Sequence, residues 1–179
     1  MNSIRFNYFF ILLTIVLVNC TTSNKQEKIR NQAIVVAPDA GKEWNIFGVK
    51  ITGKILSKDT NGAYSVIVTE TPPQAGPPPH IHENEEELFY VLKGNYLFFC
   101  GDKKIQAPEG SLVKLPKGIP HHFKNIDTIM GITINTIRPG GFENFFETIA
   151  QASKETKLTR AQIDSIAGIY KLKFVTATN

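Results

Sequence analysis

Gly76-Pro77-Pro78-Pro79-His80-Ile81-His82-Glu83-Asn84-Glu85-Glu86-Glu87 carries two of the chain's four histidines two positions apart, with a carboxylate five residues beyond the second. Five of the ten prolines, at 72, 73, 77, 78 and 79, make the approach to His80 stiff and extended. In an extended segment residues i and i+2 project from one face, so His80 and His82 point the same way. Glu87 opens the apolar run Leu88–Leu92. A third histidine, His121, follows Pro116-Lys117-Gly118-Ile119-Pro120, a turn able to deliver one side chain back into a barrel mouth. Three neutral imidazoles and one carboxylate suit a single divalent first-row metal, Fe, Mn, Ni, Cu or Zn. They leave about one positive charge on the site and open positions for water or substrate.

Around this stretch the chain reads as short β runs separated by turn residues, from Ala33 to Pro139. Val49–Leu56 is followed by the turn cluster Lys58-Asp59-Thr60-Asn61-Gly62 and then Ala63–Thr71. Leu88–Leu92, Tyr96–Cys100, Leu112–Leu115 and Ile129–Ile137 continue the series. Strands at such regular intervals point to an all-β sandwich or barrel. After Pro139 the period changes: Phe142, Phe145, Phe146 and Ile149 recur at helical spacing and read as core packing. Thr159-Arg160-Ala161-Gln162 is a capping box opening a second helix with Ile163, Ile166, Ala167 and Tyr170 on one face. Two C-terminal α-helices are therefore expected to pack on the β body.

Gly76 through Gly94, with His80, His82 and Glu87 between, resembles the first sequence motif of the cupins. Gly110-x5-Pro116-x-Gly118-x2-His121-x3-Asn125 resembles the second at every fixed position. One departure stands in the lead-in: the family usually has its first glycine six residues before the first histidine, where this chain has Gln74. The stretch from Arg138 to Glu147 and the closing helix look like the tail of small cupins grouped with quercetin 2,3-dioxygenase. The resemblance implies a double-stranded β-helix (jelly-roll) barrel over residues 33–140, with 141–179 as a helical extension packed on it. It also implies a metal held by His80, His82, Glu87 and His121. Gly94 and Gly118 fall where the chain reverses, and glycine takes φ > 0 there without steric cost.

Other polar residues read differently. His122 neighbours His121 and should point the opposite way on a strand. Glu83, Glu85 and Glu86 read as a solvated acidic rim; Glu86 is a register-shifted rival to Glu87, and the spacing to Gly94 favours Glu87. Asn125 should hydrogen-bond backbone near the second motif, since a buried amide needs partners. With Glu87 inward, Phe89 and Val91 point inward too, and with Phe123 they would line an apolar, aromatic substrate pocket.

The first residues carry a separate message. Arg5 precedes an apolar run from Tyr8 to Val18, followed by Asn19-Cys20 and a polar stretch. That run is shorter than the roughly 18–20 residues of a membrane span and fits a signal-peptide core. Leu17-Val18-Asn19-Cys20 resembles the lipobox of bacterial lipoproteins, although Asn19 stands where that family usually has Gly, Ala or Ser. The resemblance implies a signal peptide over 1–19, acylation of Cys20, a flexible tether over 20–32, and a membrane-anchored protein of the bacterial cell envelope. Only Cys20 and Cys100 are present, which excludes a disulfide framework and a thiolate zinc cluster; Cys100 reads as a small core residue. The net charge of +4 is spread along the chain without a basic stripe, which argues against nucleic acid.

The family implies a dioxygenase acting on an enolisable or phenolic, flavonol-like small molecule, with Glu87 as the base for the substrate hydroxyl. Two other readings use the same site: oxygen-independent isomerase, decarboxylase or lyase chemistry, and capture of a small molecule without turnover. A homodimer that covers exposed sheet edges is also expected.

Overall fold

The computed structural model describes residues 33–176, so the signal segment, Cys20 and the tether lie outside the described residues. Eleven strands follow in order: β1 (Lys42–Ile46), β2 (Val49–Ile55), β3 (Ser65–Thr71), β4 (His80–His82), β5 (Glu86–Lys93), β6 (Asn95–Cys100), β7 (Lys103–Pro108), β8 (Leu112–Leu115), β9 (His121–Asn125), β10 (Gly131–Arg138) and β11 (Leu172–Phe174). Two helices, α1 (Glu143–Glu155) and α2 (Arg160–Ile169), lie between β10 and β11. The strands form a six-stranded sheet, β1-β2-β3-β10-β5-β8, and a five-stranded sheet, β11-β4-β9-β6-β7. Every pairing is antiparallel. This is an all-β jelly roll with C-terminal helices, as the strand spacing indicated. Among the described residues no helix is long and apolar enough to cross a membrane.

Alternation sets what faces the interior. On β5, Glu87, Phe89 and Val91 are buried while Leu88, Tyr90 and Leu92 face outward. On β9, His121, Phe123 and Asn125 are buried, and on β10 Thr133, Asn135 and Ile137. The buried residues form two clusters. One, with Phe89, Val91, Tyr96, Phe98 and Phe123, fills one end of the barrel. The other joins Trp44, Ile51, Ile67 and Ile137 to Phe142, Phe145, Phe146 and Ile149 of the helical segment. Burying each of these phenylalanines contributes roughly 1.5–3 kcal/mol.

Several elements have no clear sequence signal. β7 is an edge strand with exposed Lys103, Lys104, Ile105 and Gln106, so no burial pattern marks it; its ladder with β6 alone defines it. β11 is three residues long and exists because it pairs with β4, Leu172 opposite His82 and Phe174 opposite His80. The expected strand start at Ile129 moves to Gly131, where Ile129 and Met130 remain exposed. The capping box forms as read: Thr159 Oγ1 accepts from the Gln162 amide and the Gln162 side chain accepts from the Thr159 amide.

The lead-in to β4 explains its departure from the family pattern. Gln74 has φ of 62°, the left-handed conformation that the family's glycine would take freely and that costs a residue with Cβ about 1–2 kcal/mol. Its amide donates to the Asn125 carbonyl at 2.8 Å, so the loop keeps that conformation. Gly76 is required for space: a Cβ there would stand 1.9 Å from the Phe123 carbonyl oxygen. Asn125 ties the same region down as expected, donating to the Thr71 and Ile129 carbonyls and accepting from the Asp127 amide.

Glu143, buried at the first turn of α1, fastens the helical segment to the barrel. Its carboxylate accepts from the Ser57 amide at 2.7 Å, the Ser65 hydroxyl at 2.7 Å and the Gly141 amide at 2.9 Å. Burial pushes the carboxyl up, but these hydrogen bonds outweigh it and hold the group below its ordinary value of 4.5. A depressed carboxyl stabilises the fold above its unfolded value, and that contribution fades as the pH falls through the folded value. Glu143→Gln, which turns an NH₂ donor against N–H and O–H donors, should destabilise by about 1.5–3 kcal/mol at pH 7. In denaturant titrations the gap between variant and parent should narrow below pH 4.5; a gap independent of pH would show that the charge is not what matters.

Candidate metal centre

Two sheets contribute to one cluster. β4 supplies His80 and His82 and the adjacent β9 supplies His121, with His80 directly opposite His121 in the ladder. Glu87 comes across the barrel from β5 of the other sheet. One potential ligand atom from each of the four lies within 4.8 Å of the others, and all four residues are buried. Glu87 Oε2 stands 3.1 Å from His121 Nε2 and 3.7 Å from His82 Nε2. The ring centroids of His80 lie 4.6 Å from those of His121 and 5.0 Å from those of His82.

The backbone settles which nitrogen of two rings faces the cluster. His80 Nδ1 lies 2.8 Å from the Pro78 carbonyl, and His121 Nδ1 lies 2.9 Å from the Ile119 carbonyl. A carbonyl oxygen only accepts, so each Nδ1 carries a hydrogen and is turned away, which leaves each Nε2 as the nitrogen that faces the site. In both cases the acceptor is two residues upstream, on the rigid proline-containing lead-in. Glu87 is held from behind as well: its Oε1 accepts from Asn135 Nδ2 at 2.6 Å, which leaves Oε2 turned to the histidines. Asn135 was not legible in the sequence. It is one residue of a β-branched run on β10, and only the β10–β5 register brings it beside Glu87.

These donors fit a metal. A first-row cation about 2.1 Å from each donor would set opposed donors about 4.2 Å apart, so the cluster needs to contract by only several tenths of an ångström. Three imidazoles and one carboxylate match the borderline ligands of the divalent transition metals.

The comparisons with known proteins agree with this geometry. Residues 67–132 match the family model described as "Cupin domain". That stretch, which holds His80, His82, Glu87 and His121, is similar to a cupin domain. A curated relative, quercetin 2,3-dioxygenase of Bacillus subtilis, is 29% identical over 92 residues, covering 51% of this chain and 27% of the relative. The chain thus spans about a quarter of the length of that relative. Among solved structures, an RmlC-like cupin from Shewanella frigidimarina superposes with a TM-score of 0.54 at 16% identity, covering 64% of this chain and 98% of the other. The polyketide cyclase RemF from Streptomyces resistomycificus superposes with a TM-score of 0.53 at 20% identity, covering 60% and 80%. At these identities the two structures speak for the fold alone.

Above the cluster the jelly-roll barrel holds a cavity of about 80 Å³. Phe89 and Phe123 line it, as expected from alternation. Val91 does not: it lies in the lower core cluster with Tyr96 and Phe98, fully buried. Inward alternation was right, but each two-residue step along a strand moves about 6.6 Å, and Val91 is two steps from Glu87. The roof has another origin. Phe142, Phe145 and Phe146 of the helical segment, with Phe174 of β11, close over the histidines. The Phe142 ring meets the His82 ring edge to face at 4.3 Å. No lysine or arginine is among the lining residues described.

Burial, together with the neighbouring His82 and His121, pushes the His80 imidazole down to about 3, so it is neutral at physiological pH. Burial pushes the Glu87 carboxyl up, but the histidines around it, His82 and His121 foremost, prevail and hold it at about 2. Both groups are therefore in the protonation states that ligation requires.

The acidic run divides four ways. Glu83 pairs with Lys173, and Glu86 pairs with Lys114 on the outer face at 3.0 Å, so Glu87 is the inward carboxylate. Glu85 is not part of a solvated rim. It is 8% exposed, and its Oε2 lies 3.5 Å from His82 Nδ1, because the turn between β4 and β5 folds it back behind the ligand strand. His122 faces outward and stacks on Phe99 with ring centroids 4.2 Å apart. Cys100 is half-buried against the lower core, and burial raises its thiol.

Replacing Asn135 by leucine removes the bond that holds Glu87 Oε1. Such a change should weaken metal binding by about 10–100-fold while leaving the circular dichroism spectrum unchanged. Competition against a chromophoric chelator measures this; parental affinity in Asn135→Leu would show that Glu87 is oriented without it.

Proposed function

We propose that the chain is a metal-dependent dioxygenase acting on an enolisable or phenolic, flavonol-like small molecule. The observation that carries the reading is the pairing of an oriented three-histidine, one-glutamate donor set with an aromatic cavity free of cationic side chains. The partial likeness to quercetin 2,3-dioxygenase supports the same class. A redox-active divalent metal such as Fe, Mn, Ni or Cu, held by His80, His82, Glu87 and His121, would supply Lewis acidity toward a substrate hydroxyl and a redox couple for O₂.

The chain's own residues do the rest. Phe89, Phe123 and Phe142 meet the substrate's reacting ring and exclude water; because a cavity of about 80 Å³ is smaller than a flavonol, the aromatic roof has to part to admit the rest. Asn135 Oδ1, buried and without a protein partner, is an acceptor for a substrate hydroxyl, while its Nδ2 keeps Glu87 in place. Glu87 Oε2 is the base that takes the hydroxyl proton. Both atoms of O₂ end in the cleaved product, so no external reductant enters the balance.

The test uses the full chain purified in detergent without chelators. Metal analysis should give about one Fe, Mn, Ni or Cu per chain, and an O₂ electrode should record uptake that depends on a flavonol. Glu87→Ala and His121→Ala should each abolish that uptake, a loss of at least about 10³-fold. Bound metal with conversion of substrate but no O₂ uptake would replace this reading with isomerase, decarboxylase or lyase chemistry; binding without conversion would replace it with ligand capture.

We infer further that the protein is held at the bacterial cell envelope through a lipid on Cys20. The apolar run Tyr8–Val18 directly before Cys20 supports this, and several acyl chains, each buried CH₂ contributing roughly 0.8 kcal/mol, suffice for stable anchoring. In cells fed an alkynyl fatty acid the parent should become labelled and sediment with membranes. Cys20→Ser should do neither; labelled Cys20→Ser would dismiss the anchor.

A further inference from the structure

His80 and His121 present Nε2 to the site because carbonyl oxygens two residues upstream hold their Nδ1 hydrogens. His82, in the same cluster, has no such carbonyl. Its Nδ1 is buried and makes no hydrogen bond, and Glu85 Oε2 is likewise buried and without a partner. The two unpaired atoms face each other at 3.5 Å. Buried polar atoms are nearly always paired, and here each atom's missing partner is the other.

Water cannot readily take the place of either. His82 is 2% exposed, and the Phe142 ring closes one side of it at 4.3 Å. No other carboxylate of the run can substitute, because Glu83 is engaged by Lys173, Glu86 by Lys114, and Glu87 faces the opposite side of the imidazole. The turn that carries Glu85 is fixed at its start: the Glu83 amide donates to the Lys171 carbonyl at 3.0 Å, and the Gly118 amide to the His82 carbonyl at 2.7 Å.

We propose that Glu85 is the positioning residue of the metal centre: it accepts the Nδ1 hydrogen of His82, fixes Nε2 toward Glu87, and makes His82 the strongest nitrogen donor of the three. The inference rests on the metal-centre reading. A carboxylate draws the Nδ1 hydrogen more strongly than a peptide carbonyl and so raises the basicity of the opposite nitrogen. The three imidazoles are thus unequal by construction, two set by backbone and one set by a charge. Glu85 touches neither metal nor substrate in this role; it acts through His82.

The experiment reads the tautomer and the affinity separately in the full chain in detergent. In ¹⁵N-labelled, metal-free protein at pH 8, long-range ¹H–¹⁵N spectra should show His82 protonated at Nδ1. Glu85→Ala should move that proton to Nε2 or give a mixture, and Zn²⁺ affinity should fall about 10–100-fold. Glu85→Gln keeps an acceptor oxygen without the charge; it should retain the Nδ1 tautomer and fall between parent and Glu85→Ala in affinity. An unchanged His82 tautomer with Zn²⁺ affinity within twofold of the parent in both variants would overturn the proposal. If Glu85→Ala does not fold, the isosteric Glu85→Gln decides alone: parental affinity overturns the proposal, and reduced affinity with the tautomer kept supports it. A parent that binds no Zn²⁺ would refute the metal-centre reading, while the tautomer spectra would still decide the role of Glu85.

Discussion

Four ionisable side chains packed into one apolar interior set the terms for the rest of the molecule. Three imidazoles and a carboxylate without water must each find a partner for every polar atom, or the site would cost more than the surrounding core returns. The fold meets most of that requirement from outside the cluster inward. Rigid lead-ins place the carbonyls of Pro78 and Ile119 behind two rings. Asn135 reaches across from β10 to hold Glu87. The strand ladders that deliver these partners are the same ladders that build the barrel, so site and scaffold stand or fall together.

Much of this was legible in the residues. The two-residue spacing of His80 and His82 placed them on one face, and glycine-bounded apolar runs marked most strands. Gly94 and Gly118 do adopt positive φ at their turns. What escaped has a common cause: it depends on register between strands distant in sequence. Asn135 meets Glu87 only through a long-range ladder, and Val91 misses the cavity only because of how far along its strand it lies. Glu85 looked solvated since nothing local in Glu83-Asn84-Glu85-Glu86-Glu87 says which carboxylate the turn will fold inward. Periodicity reports which face a side chain takes, not which neighbour it meets there.

The phenylalanines after Pro139 show how one feature serves two ends. As a helical stripe they read as packing, and Phe145, Phe146 and Ile149 do bury against Trp44 and the first sheet's inner face. The same rings form the roof of the cavity over the histidines. A substitution among them therefore changes stability and the shape offered to a ligand at once. Glu143, at the head of that helix, determines how firmly the roof is seated.

The three residues of β11 lie beside the ligand strand and pair with both histidines on it. In a chain made from its N-terminus, the ligand strand is synthesised about ninety residues before its outer neighbour. Until Leu172–Phe174 emerge, β4 presents one unpaired edge, and the wall of the metal centre on that side is unfinished. Contacts of such long sequence separation form late and slow the approach to the native state. Assembly of a competent centre is thereby tied to synthesis of β11, and a chain cut short of it would offer incoming cations a looser, more open set of donors.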